Sequence, residues 1–417
     1  MESVAQAPVA SLDDVRPRAY ADIQSWVLFE KPGGNQYVIG SLTADRYITV
    51  PENRFKTTLV LARQFDGRQS LAEIRDYARR ELRQDVAVQQ LYTSLSEAGL
   101  IVDPPPSRIT QGEFKQLSIR LLQVNLISLS RLRPLVNLLF RPAIWLSLVV
   151  ILAGLLTTPL DVLFAPRALQ IGSSYALGFV ILGLSMTLSS LCHELAHCLV
   201  GLRLGLTPRK FAIALYLGVY LFFYVEITGV YTLKPRDRIK LWLAGSWINA
   251  TIAGAILLVR QLGFVSELAD QFLLKIAFAN LFMILNNLWP LMPTDGYFIM
   301  CTLLKVWNVR SNAWQMLKNL VRGQRQNRYG WFLWIYVIIA VALIVQGLVF
   351  QIRWLVGAVQ ELPLKVVSVE GRVFIVAGAV LLMLAMRVLP RLLKRVVQRR
   401  AAARADAGLP ISGTSSS

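Results

Sequence analysis

Histidine is nearly missing from this chain. Two are present among 417 residues, beside three cysteines and 25 acidic residues against 44 basic ones. Cys192, Cys198 and Cys301 all lie in apolar stretches, which excludes a disulfide framework and reads as buried thiols, Cys192 and Cys198 being redox-sensitive candidates. Charge is scarce too. Charged residues make up 17% of the chain against 55% hydrophobic, and the mean hydropathy is +0.49, which excludes an ordinary soluble protein. The first hundred or so residues lack any apolar run near the ~20 residues a spanning helix needs, so this part is expected to be soluble. "MESVAQAPVASLDDV" has no basic segment leading into a short apolar core, so no secretory signal is expected and the N-terminal domain should stay in the cytoplasm. The net charge of +19 sits beside the apolar runs, as in "SRLRPLVNLLFRP", "KNLVRGQRQNR" and "RLLKRVVQRRAAAR". That placement fits anionic lipid headgroups of a bilayer and gives no reason to expect a nucleic-acid partner.

What the chain does have is long apolar stretches. Spans are expected near 142–162, 174–203, 240–260, 271–303, 330–351 and 371–391. The basic segments 203–240, 304–329 and the C-terminal tail then share one side of the membrane, with both termini inside. The fold class expected is a polytopic α-helical membrane protein of about six transmembrane helices with an N-terminal α+β winged-helix-like soluble domain, placed in a bacterial cytoplasmic membrane. In that domain "WVLFE", "YVIG" and "RYITV" read as strands, with "PGGN" as a turn. Ser70 to Glu73 reads as a capping box opening "LAEIRDYARREL", and a further helix stops at Gly99. The domains expected are a flexible N-terminus (1–20), the winged-helix-like domain (21–106), an interfacial amphipathic linker (107–141), a transmembrane core (142–303), a basic cytoplasmic loop (304–329), two C-terminal helices (330–391) and a tail (392–417). Phe211 to Tyr231 is aromatic and β-branched, with Glu226 within it, and is either a re-entrant hairpin buried in protein or a seventh span.

Both histidines fall in one apolar helix, in "SSLCHELAHCLVG". An ionisable side chain in mid-bilayer costs ~2.5 kcal/mol or more, so such groups pair, line a cavity or do chemistry. His193 and His197 are four apart and share a helix face, which suits two imidazole ligands of Zn²⁺ with Glu194 beside them as a base. Catalytic zinc takes a third protein ligand, and with no histidine left it should be a carboxylate or a cysteine. Asp295 in "NNLWPLMPTDGYF" is the best candidate, because Pro290 and Pro293 should unwind the helix there and Gly296 lets the chain turn closely. Asn287 is a candidate to hydrogen-bond freed backbone or a substrate strand. Asn280 and Asn286 are expected to be interhelical hydrogen bonders and Glu226 structural.

With "HELAH" and Asn287, Pro290, Asp295 and Gly296 in "NNLWPLMPTDG", the chain resembles the site-2 protease family of intramembrane zinc metalloproteases. The resemblance implies that His193, His197 and Asp295 bind zinc and that Glu194 is the catalytic base. "LAGSWINA" looks like a third motif of that family, matching at Ala244, Gly245 and Asn249 and departing at Ser246, where proline is common. It implies that Asn249 helps to hold substrate or the tetrahedral intermediate. Residues 125–302 are similar to the peptide zinc metalloprotease branch, whose members often accompany peptide-modifying or export proteins. The N-terminal strand and helix order, with "FDGRQSLAEI", is similar to PqqD-like domains, which bind leader segments by adding a strand to a sheet. The function expected is a zinc metalloendopeptidase maturing a ribosomally made or exported peptide. A regulated protease of a membrane-anchored signalling protein, or a non-proteolytic peptide-binding export or immunity component, are the alternatives.

Overall fold

Ser70 opens a helix as its sequence promises: its hydroxyl accepts the Glu73 N–H at 3.2 Å, and the Glu73 carboxylate accepts the Ser70 N–H at 2.7 Å. This helix belongs to the N-terminal region of a computed structural model that describes residues 12–104, 118–158, 170–172, 174–216, 220–263, 265–291, 294–323, 331, 333–342, 345–346 and 349. Strands β1 (Arg18–Ala19), β2 (Ile23–Phe29), β3 (Gln36–Ser41) and β4 (Arg46–Pro51) precede helices α1 (Glu52–Gln64), α2 (Leu71–Arg80) and α3 (Val88–Glu97) and strand β5 (Ile101–Asp103). β2, β3 and β4 form an antiparallel sheet in that order, and β1 pairs with β5. The sheet and helices close over Ile39, Leu61, Phe65, Leu71, Ile74 and Leu95. Residues 12–20, expected in a flexible N-terminus, are tied down. β1 holds β5, and Asp13 accepts Gln89 Nε2 at 2.8 Å and pairs with Arg75 at 3.3 Å.

Four described segments are long and apolar enough to cross a membrane: Ile127–Thr157, Tyr175–Arg203, Pro235–Arg260 and Glu267–Asn287. The first comprises a 3₁₀ turn and helix α4 (Arg133–Thr157); the others are α5 (Tyr175–Arg203), α6 (Pro235–Arg260) and α7 (Glu267–Asn287). α4 and α6 cross at backbone distance, since a Cβ on Gly154 would lie 2.3 Å from the Gly254 carbonyl oxygen. Small residues at such crossings let dispersion contacts hold helices together in lipid. The fourth expected span, 271–303, is broken after Asn287, and its end becomes a separate helix, α8 (Asp295–Leu303). Of the fifth, Leu333–Ala342 is helical among the described residues. The sixth, 371–391, lies outside them, as does the tail.

The described residues of Phe211 to Tyr231 form paired strands and not a span. Strands β7 (Thr207–Tyr216) and β8 (Tyr220–Thr228) pair antiparallel, with Phe211 opposite Val225. A third strand, β6 (Ser118–Asn125), adds to β7, so part of the stretch expected as an amphipathic interfacial linker is β-structure. The physical reason is pairing: β7 offers backbone groups on both sides, and open sheet edges are not tolerated against lipid. The basic segment 304–329 is likewise more than a loop. Its residues Val309–Val321 form α9, whose Val309, Ala313 and Met316 share one face and pack on Tyr297 and Cys301 of α8.

The N-terminal region docks on this assembly through basic and aromatic side chains. Arg238, at 2% exposure, donates to the Leu28 carbonyl and places its guanidinium 5.0 Å from the Phe29 ring centroid. Lys305 Nζ donates to Glu30 O at 2.7 Å, Arg209 to Thr43 O at 3.0 Å, and the Gly229 N–H to Asp45 Oδ1 at 3.2 Å. Tyr47, Tyr231 and Trp307 stack edge to face between the two parts. The Thr43 turn is itself pinned by Asp22, which accepts Ser41 Oγ at 2.6 Å and the Thr43 N–H at 2.8 Å. Burial would raise the Asp22 carboxyl, but these hydrogen bonds outweigh it and hold the group below its usual range. Replacing Arg238 by Met removes a charge-assisted hydrogen bond worth ~1.5–3 kcal/mol and a desolvated cation–π contact worth ~2 kcal/mol. The expected result is faster hydrogen exchange along β2 with unchanged protection in α2 and α3; unchanged β2 would show that Arg238 does not carry the docking.

Candidate metal centre

Two turns of α5 and the first residue of α8 meet at one point. His193 and His197, one helical turn apart, place their rings 4.9 Å apart at 77°. Asp295 Oδ2 lies 3.0 Å from His193 Nε2 and 3.3 Å from His197 Nε2, and one ligand atom from each residue falls within 4.8 Å of the others. The histidines are buried, at 3% and 7% exposure. α8 reaches this position because the chain breaks after α7, with Pro290 in the turn. Gly296 permits the close return: a Cβ there would stand 2.2 Å from the Leu288 carbonyl oxygen.

A divalent cation fits this arrangement. Tetrahedral zinc with bonds of ~2.0–2.2 Å puts its ligand atoms about 3.3–3.6 Å apart, close to the spacings found here. The hydrogen bond behind the His197 ring argues the same way. His197 Nδ1 lies 2.8 Å from the Leu241 carbonyl, an acceptor, so Nδ1 carries a proton and donates. In the neutral ring Nε2 then presents a lone pair to a carboxylate oxygen 3.3 Å away, which repels unless a proton or a metal cation stands between them. His193, His197 and Asp295 are thus the residues that would hold the metal.

Glu194, beside the first histidine, reaches the sheet. Its Oε2 accepts the Val225 N–H at 3.0 Å. Val225 is the ladder partner of Phe211, and its N–H is turned away from β7, so the outer edge of β8 faces α5. One carboxylate oxygen is fixed by this bond, and Oε1 has no hydrogen-bond partner among the described residues.

Helix α6 forms the back of the centre. Leu241, Gly245 and Asn249 are four apart and share a face. Leu241 O holds His197, Asn249 Nδ2 lies 3.3 Å from His193 Nδ1, and a Cβ on Gly245 would collide with the His193 ring at 2.2 Å. Leu241 and Val225 act through their backbone, so side-chain motifs do not announce them; the four-residue spacing from Gly245 to Asn249 is the signal that locates the stripe. Gly245→Ala should push the ring off its position at an overpacking cost of ~1–3 kcal/mol, read as a lower zinc content in the purified protein. Wild-type zinc content in that variant would mean that the ring has room to move. Of the other asparagines, Asn287 ends α7 half-buried and makes no side-chain hydrogen bond among the described residues. Asn280 and Asn286 bond within their own helix, to Ile276 O and Phe282 O, each at 2.8 Å.

Comparison with known proteins points in one direction. The chain is 28% identical over 149 residues to the "Putative peptide zinc metalloprotease protein YydH" of Bacillus subtilis (strain 168). The match covers 35% of this chain and 57% of that protein, so the chain spans little more than half of the relative's length. No family model matches the chain, and no solved structure does. A distant homologue named in this way supports a general metalloprotease role and suggests zinc as the metal.

Proposed function

We propose that this protein is a membrane-embedded zinc endopeptidase of the site-2 protease type, which matures a ribosomally made or exported peptide captured by its N-terminal domain. The observation that carries the reading is the meeting of His193, His197 and Asp295 from two separate helices, with Glu194 one residue from the first ligand. Zinc bound there supplies Lewis acidity that polarises a scissile carbonyl and acidifies the attacking water. The chain's own part is to hold and to move protons. Glu194, steadied through Oε2 by Val225, takes the proton of that water at Oε1 and returns it to the leaving amine nitrogen. No side chain forms a covalent bond to the peptide in this scheme.

The N-terminal sheet supports the capture of a peptide by strand addition, the PqqD-like part of the reading. Its two edges differ. The carbonyls at the end of β2 are occupied, Leu28 O by Arg238, and the adjoining Glu30 O by Lys305. From Arg46 to Val50, β4 makes no backbone hydrogen bond on its outer side among the described residues, so this edge is open to a peptide. The N-terminal domain and the basic segments then lie on the cytoplasmic side of a bacterial inner membrane, and peptide-modifying or export proteins are the partners that fit.

The test is hydrolysis of a mixed library of internally quenched peptides by the purified protein in detergent. Activity should vanish on chelation and return with Zn²⁺. Cleavage that survives complete removal of metal would defeat the proposal.

A further inference from the structure

Helix α6 holds the two histidines by different means, and the difference singles out one side chain. His197 has a backbone carbonyl behind it, which can only accept, so its tautomer is fixed with the proton on Nδ1. His193 has Asn249 behind it, an amide that can donate or accept. Asn249 is fully buried at 0% exposure, its Nδ2 lies 3.3 Å from His193 Nδ1, and its Oδ1 has no hydrogen-bond partner. As placed, the amide donates to Nδ1, and Nε2 carries the ring proton towards Asp295 Oδ2 at 3.0 Å. That arrangement is self-consistent without a metal. A cation on Nε2 requires the opposite tautomer, with the proton on Nδ1 and an acceptor behind it. The buried, partnerless Oδ1 is that acceptor, brought to Nδ1 when the amide turns by half a rotation about its last bond.

Resting on the metalloprotease reading above, we infer that Asn249 is a positioning residue for the metal: it sets the tautomer and the direction of His193, and does not reach substrate. This departs from the role that the family resemblance implies for it. Residues behind a metal-bound histidine typically change affinity by ~10–100-fold when removed. Asn249→Ala should therefore bind zinc ~10–100-fold more weakly. Asn249→Asp keeps an acceptor and should bind at least as tightly as the wild type.

The experiment uses the rarity of histidine: with two in 417 residues, the full-length protein labelled with ¹⁵N-histidine gives the signals of two rings only. In zinc-loaded wild type both rings should carry the proton on Nδ1. Asn249→Ala should alter one ring and leave the His197 ring as it was, which serves as the internal control of folding; Asn249→Asp should restore the wild-type pattern. Zinc affinity is measured on the same samples by competition with a chelator. The inference is overturned if Asn249→Ala leaves both rings and the zinc affinity unchanged, or if Asn249→Asp weakens zinc as much as Asn249→Ala. A wild type that takes up no zinc would defeat the metalloprotease reading instead. The metal-free spectra would then decide the contact by themselves, an altered single ring in Asn249→Ala supporting it and two unaltered rings refuting it.

Discussion

Asp295→Ala is expected to abolish stable zinc binding while leaving the helices in place. Of the group His193, His197 and Asp295, the substitution takes away the member that comes from outside α5, and two imidazoles one turn apart on a single helix are a weak site for zinc. The loss should exceed the ~10²-fold that removal of a merely supporting residue can cost. Structure should survive because Asp295 stands at the first residue of α8 and the packing of that helix rests on other groups. Tyr297 and Cys301 bury against α9, and Trp242 of α6 stacks on Phe298 at 4.8 Å. Zinc content of the purified variant, set beside that of His193→Ala, measures this directly. Full zinc in Asp295→Ala with empty His193→Ala would remove Asp295 from the ligand set and leave the histidines in it.

Glu194→Gln has the opposite signature. Zinc should remain, because Glu194 is not among the three groups that converge on one point. The sheet should remain as well, since a glutamine side-chain oxygen can still accept the Val225 N–H that Glu194 Oε2 accepts at 3.0 Å. What disappears is the capacity to take a proton from water and pass it on, a contribution of ~10²–10⁴ in rate for a positioned acid–base group. A folded, zinc-loaded and inactive variant separates the chemistry from the scaffold, which neither ligand substitution can do.

The chemistry-bearing residues were legible in the sequence because the membrane makes polar groups expensive. Two histidines and a glutamate in one apolar helix, and an aspartate after a proline break, stand out against lipid, and the structure brings three of the four within reach of one ion. The four-residue spacing of His193 and His197 sufficed to put both on one face. The capping box at Ser70 and the strand and helix order of the N-terminal region were readable for local reasons, namely short-range hydrogen bonds and periodicity. Less legible was everything that depends on a distant partner. β6 reads as part of an amphipathic linker until β7 is present to pair with it, and α9 reads as a basic loop until α8 offers a face for Val309, Ala313 and Met316. The docking of the two parts was invisible for the same reason, since nothing local marks Arg238 as the arginine whose partners are Leu28 and Phe29. Asn249 shows the limit of motif reading most clearly: its motif marks it as close to the site, and only the geometry puts it behind His193.

If the centre hydrolyses peptides, Glu194 is its base. The most direct test compares the peptides of cells carrying the wild type with those of cells carrying Glu194→Gln, both proteins being purified in parallel to verify folding and zinc content. Shortened peptides should be present in the wild type and absent from the variant, with their uncut precursors accumulating and equal zinc in the two proteins. Identical peptides in both, with Glu194→Gln folded and zinc-loaded, would contradict that role for Glu194.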